Sequence, residues 1–155
     1  TKCDAVKLEG GSLIVNIIEY LIKNKIPVMG HLGILPQSVK GKFKFKGKKN
    51  SERNKIFNDA KLLEKIGVFS IVLECVESTL AKQISKKLKI PTIGIGSSKF
   101  CDGQILVIDD LIGLNDTKVR FVKKFGQIKK NISNAAKNFS KEVKNKKYPS
   151  KIYSY

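Results

Sequence analysis

VFSIVLECVESTLAKQISKKLKIPTIGIG, residues 68–96, is the stretch whose reading decides the fold. Its first nine residues, Val68 to Val76, form a near-continuous apolar run of strand length, broken only by Ser70 and Glu74. From Glu77 to Leu88 the apolar residues recur at helical spacing, and IPTIGIG then gives a second apolar strand. Strands that are apolar on both faces and joined by an amphipathic helix belong to a parallel sheet. A parallel connection needs a crossover of about a dozen residues, and an alternating face is not required.

The same unit repeats in both directions. DAVKLEGG (residues 4–11) predicts a strand, and Ser12 predicts the cap of a helix running to about Asn24. Leu13, Ile17, Tyr20 and Leu21 are expected along the packing face of that helix. IPVMGHLG (26–33) reads as a second strand, followed by the Gly- and Lys-rich loop KGKFKFKGKKN (40–50). A helix is expected from about Ser51 to Ile66 with a stripe of Ile56, Phe57, Ala60, Leu63 and Ile66, and Gly67 stops it. GQILVIDD (103–110) predicts a fifth strand, and a basic, mostly helical segment follows from about Asp116 to Lys147. The class is α/β, a parallel sheet covered on both faces or closed into a barrel.

At 155 residues the chain suffices for one domain with a proper core and is short for two; 41% hydrophobic residues argue against disorder. No run approaches the ~18 to 20 apolar residues of a membrane span, and no signal-peptide pattern opens the chain, so no membrane partner is expected. Residue 1 is Thr rather than Met, which points to a processed chain or part of something longer. Cys3, Cys75 and Cys101 are odd in number and widely spaced, which predicts thiols and a reducing, cytoplasmic setting. Net charge is +18, yet only Arg53 and Arg120 supply guanidinium forks and no aromatic-rich basic motif appears. Specific nucleic-acid recognition is therefore not expected.

In both architectures the functional groups gather at the carboxyl ends of the strands. Those ends carry Lys7 and Glu9, His31, Glu74, Gly96 with Ser97 and Ser98, and Asp109 with Asp110. Lys7 and Glu9 are two apart and share a strand face. Glu9 is a hard oxygen ligand suited to Mg²⁺. Lys7 could pair with a substrate carboxylate or carbonyl oxygen. Glu74, at an apolar strand end, suits a general base. Blander readings stand beside these: solvated strand ends, an ion pair of Glu74 with a lysine, a satisfied loop histidine, and glycines that serve close backbone approach.

DAVKLEGG, IPVMGHLGILPQSV, LECV…LAKQI…IPTIGIG and CDGQILVIDDLIGL together, in this order, resemble the later part of the ketopantoate hydroxymethyltransferase (3-methyl-2-oxobutanoate hydroxymethyltransferase) family. GHLG-x-x-PQS is the sharpest of these strings, and the similarity covers almost the whole chain. The resemblance implies a (β/α)₈ barrel of the phosphoenolpyruvate/pyruvate type, Mg²⁺ as cofactor, and a step toward pantothenate. A 2-oxo acid would accept a hydroxymethyl group from 5,10-methylenetetrahydrofolate through an enolate. By position, Lys7 resembles the substrate-binding lysine, Glu9 a metal-site residue, Glu74 the proton acceptor and His31 a histidine near the substrate. A homo-oligomer is implied for the full-length family.

The chain also departs from the family. A (β/α)₈ barrel takes about 250 residues, whereas the sequence supplies about five strand–helix units. The expected arrangement is one partial barrel domain over residues 1–155, with the N-terminal units and their two metal-site aspartates and serine missing. Two open sheet edges would follow. Ser97-Ser98 and Asp109-Asp110 stand where the family's pattern differs, and its C-terminal histidine is replaced around Tyr153. A Mg²⁺-dependent lyase on the same fold, and an inactive remnant or basic binding protein, are the alternative readings.

Overall fold

The computed structural model describes residues 2–37, 45–116 and 118–155. Five strands, β1 (Val6–Glu9), β2 (Val28–Gly33), β3 (Ser70–Glu74), β4 (Thr92–Ile95) and β5 (Gly103–Gln104), form one sheet in sequence order. Every pairing is parallel. The crossovers are α1 (Val15–Lys23), α2 (Asn50–Lys65) and α3 (Ser78–Lys87). The chain divides into two compact units, residues 1–105 and 106–155. The second contains the short α4 (Ile108–Leu111) and the 17-residue α5 (Ile128–Lys144), whose residues are all exposed. No helix among the described residues is long and apolar enough to cross a membrane.

In the first unit the core lies on one face of the sheet. Val28, Leu32, Ile71 and Leu73 are buried and, by strand alternation and register, point the same way. They pack with Ile18 of α1, Ile56, Ala60 and Leu63 of α2, and Leu80, Ala81 and Ile84 of α3 in a single cluster. Gly30 makes room for this packing: a Cβ there would stand 2.9 Å from Leu63. The helical stripe expected on α2 is the one that packs, and Gly67 ends that segment at φ +95°.

Three expectations require correction. Ser12 does not cap α1. A 3-10 turn, Ser12–Ile14, precedes the helix, and no side chain caps either element. The Ser12 amide instead donates to Asp59 of α2 at 3.2 Å. The packing face of α1 is also rotated: Ile18 is buried and Ile14, Leu21 and Ile22 lie against the core, while Leu13, Ile17 and Tyr20 are exposed. Finally, the fifth strand is only Gly103–Gln104, and Asp109 and Asp110 occupy the first turn of α4 rather than a strand end. The Gly- and Lys-rich loop is described only from residue 45 on, and Ser38 of the PQS string lies outside the described residues.

The described part of that loop is stitched to the end of β3. The Lys46 amide donates to the Cys75 carbonyl at 2.8 Å, and the Glu77 amide donates to the Lys46 carbonyl at 2.8 Å. Glu77 is the N-cap of α3, accepting from the Thr79 and Leu80 amides, and it pairs with Arg53 of α2 at 2.8 Å. The Thr79 hydroxyl and amide, then the Arg53 guanidinium, hold the Glu77 carboxyl down at about 2. Glu77→Ala is expected to cost about 1 to 2 kcal/mol at neutral pH. A group whose folded pKa is depressed stabilises above its unfolded value and loses that contribution as pH falls through the folded one. The gap in urea midpoint between parent and variant should therefore close from the ordinary carboxylate range down toward about pH 2. A gap that stays constant over that window would show that the cap does not depend on the charge.

Candidate active site

The face opposite the helices carries the polar groups. In register, Glu9 stands beside His31, and Gly33 beside Glu74, so Lys7, Glu9, His31 and Glu74 project from the same face of three adjacent strands. Glu74 is the last residue of β3, and Cys75 leaves the strand at φ +50°. The backbone around it is pinned on two sides. The Ile34 amide donates to the Glu74 carbonyl at 2.9 Å, and the Cys75 amide donates to the Ile95 carbonyl at 2.8 Å. A carboxylate mounted on a strand end tied to both neighbours has little backbone freedom, as a proton-transfer group requires.

The side chains converge on His31. Lys7 Nζ lies 3.3 Å from His31 Nδ1, and Glu74 Oε2 lies 3.2 Å from His31 Nε2. Glu9 Oε1 is 3.7 Å from Nδ1, and Glu9 Oε2 accepts from the Gln37 amide at 3.1 Å. The imidazole is 2% exposed, Glu9 11% and Glu74 18%, so the two carboxylates rather than the ring meet solvent. Burial, then the neighbouring Lys7 charge, lowers the His31 pKa, which favours the neutral ring. Burial, then the Glu9 charge, raises the Glu74 pKa. A raised carboxyl makes a stronger base once ionised. Beside Glu9, at the open edge of β1, a pocket of about 200 Å³ is lined by Leu8, Ile14, Ile17 and Gln37.

The structure thus brings together all four residues named from sequence: Lys7, Glu9, His31 and Glu74. It does not bring Ser97 to the group. The Ser97 hydroxyl donates to the Leu73 carbonyl at 2.9 Å and accepts from the Val76 amide at 2.9 Å, so it bridges strand ends. Asp109 and Asp110 lie in the second unit. The Gln37 amide is a site contact that no residue type could have announced, because any residue but proline offers a backbone N–H.

Whether this donor set fits Mg²⁺ can be judged from its chemistry. Among the described residues no group of three or more His, Cys, Asp or Glu could hold a metal ion. Mg²⁺ takes one or two carboxylates and completes its shell with water and substrate oxygens. Glu9 meets that requirement as a single hard donor. The set therefore fits a cation shared with a ligand and not an all-protein cage.

The ketopantoate hydroxymethyltransferase family matches residues 1–151 of the chain. A 3-methyl-2-oxobutanoate hydroxymethyltransferase of Pelagibacter ubique is 64% identical over 155 residues, which is 100% of this chain and 60% of that protein. Proteins of the same name from Clostridium botulinum and Thermosipho melanesiensis are 48% and 47% identical, over 97% and 98% of this chain and 56% and 59% of their own lengths. The chain spans less than two thirds of these curated relatives.

Proposed function

The chain belongs to the ketopantoate hydroxymethyltransferase family, and from that premise we propose that it is the base-bearing part of an enzyme that hydroxymethylates 3-methyl-2-oxobutanoate. The sheet would form part of a (β/α)₈ barrel. Three crossover helices packed on one face, with polar groups on the other, suit a barrel wall and not a doubly wound sheet. The observation that carries the reading is the convergence of Lys7, Glu9 and Glu74 around one buried histidine at the strand ends.

In this reading Glu74 takes the proton from C3 of the keto acid, and Lys7 draws the acid's oxygens toward the same face. Glu9 would hold Mg²⁺, which when bound withdraws electron density from the carbonyl and makes the adjacent C–H more acidic. Glu74 is poised for its role by burial, which keeps water from levelling its basicity. The carbon nucleophile left behind then takes the one-carbon unit of 5,10-methylenetetrahydrofolate.

The test uses the chain extended with the remaining residues of the Pelagibacter ubique relative, supplied with keto acid and Mg²⁺ in deuterated buffer. Without 5,10-methylenetetrahydrofolate, deuterium should enter C3 with no net product. With it, 2-dehydropantoate should form. Carbon–carbon cleavage of the acid in the absence of the folate would replace this reading with a lyase, and absence of exchange under both conditions would remove the enolate.

A further inference from the structure

Among the described residues, one buried side-chain nitrogen or oxygen lacks a hydrogen-bond partner: His31 Nε2. It lies 3.2 Å from Glu74 Oε2, within reach but out of alignment for a hydrogen bond. At the other ring nitrogen, Lys7 Nζ at 3.3 Å stands closer than Glu9 Oε1 at 3.7 Å. A lysine ammonium has three donors and no acceptor, so Lys7 Nζ, 3.3 Å from Nδ1, can only donate to that lone pair. A neutral ring that accepts from Lys7 at Nδ1 carries its proton on Nε2, on the side of Glu74. With the residue 1% exposed, the ring has no surface to offer a substrate and acts through the side chains around it.

We propose that His31 is a positioning residue: Lys7 fixes its tautomer, and its Nε2–H fastens onto Glu74 Oε2 so that Oε1 is left to face the reacting carbon. This rests on the reading of Glu74 as the base. The step balances without His31 changing its protonation. The C3–H bond breaks, an O–H bond forms at Oε1, and the electron pair stays on the substrate. Misalignment in the resting site is the usual condition of catalytic hydrogen bonds before substrate enters, and a rotation of the partly exposed Glu74 carboxylate closes this one. Strand register explains why a histidine can do this. Glu74 pairs with Gly33, two residues beyond His31 on the same face, so the ring reaches along β2 to a carboxylate on β3.

Two measurements test the inference. His31 is the single histidine of the chain, so ¹⁵N-histidine labelling of the 155-residue protein gives one imidazole. Its nitrogen shifts should show the proton on Nε2 and a lone pair on Nδ1, and Lys7→Met should turn this into a mixture of tautomers. The second measurement is C3 exchange in the extended enzyme. The amide nitrogen of His31→Gln reaches the position of Nε2, whereas that of His31→Asn reaches only that of Nδ1. His31→Asn should lower kcat about 10²-fold with KM for the keto acid little changed, the scale of a misplaced catalytic group. His31→Gln should recover at least a tenth of the parent rate. A ring protonated on Nδ1, equal losses in the two variants, or a loss carried in KM would each overturn the proposal. Failure of the base reading shows elsewhere, as undiminished exchange in Glu74→Gln, and the tautomer is read independently of it.

Discussion

Glu74→Gln is expected to lower C3 exchange by about 10² to 10⁴ while leaving binding of the keto acid nearly intact. The amide keeps the size of the carboxylate and can still meet His31 Nε2, but it cannot accept a proton from carbon. Binding should survive because in this reading it rests on Lys7 and Glu9, from which Glu74 is separated by the buried ring. The comparison variant is Glu9→Gln, for which exchange should fall together with its dependence on Mg²⁺. The parent's pH profile adds a sign. The Glu74 pKa is raised, chiefly by burial and then by the Glu9 charge, so the ionised form should appear as pH rises through a value above that of an ordinary glutamate. In the metal-free protein, Glu9→Gln removes that charge and should shift the titration of Glu74 toward lower pH. Parent-rate exchange in Glu74→Gln would end the assignment of Glu74 as base.

The parts of this site that sequence made legible share one property: they follow from strand parity. Lys7 and Glu9 are two apart, so one face is certain once the strand is recognised, and Glu74 ends an apolar run that can only be a strand. The rotation of α1 was not legible, because its sequence is apolar almost all round. Ile14, Ile18, Leu21 and Ile22 make one stripe and Leu13, Ile17 and Tyr20 another, and only the angle at which the helix meets β2 chooses between them. The length of β5 was hidden for a related reason. Ile105 and Val107 look like strand interior but are half exposed beyond Gln104. The approach of Lys7 to His31 runs from β1 to β2, a distance that no spacing within one strand reports.

Gly33→Ala should be among the most damaging single changes in the first unit, and its damage should reach the site. Gly33 closes β2 at φ +104°, a region that costs an L-residue about 1 to 3 kcal/mol. A Cβ there would stand 2.1 Å from the Glu74 carbonyl oxygen and 2.8 Å from Val76 Cγ2. The carbonyl cannot simply withdraw, since it accepts the Ile34 amide at 2.9 Å and so holds β2 to β3 where Glu74 is mounted. Strain and overpacking together place the loss on the order of 3 to 5 kcal/mol. Leu63→Ala supplies the control: it opens the core on the opposite face, at a cost of about 2 to 5 kcal/mol. Urea unfolding should show similar losses for the two variants. In cold conditions where both remain folded, exchange should fall with Gly33→Ala and hold with Leu63→Ala, because only the former moves the backbone of Glu74. Equal exchange in the two would separate the end of β2 from the placement of the base, and a Gly33→Ala protein as stable as its parent would contradict the close approach itself.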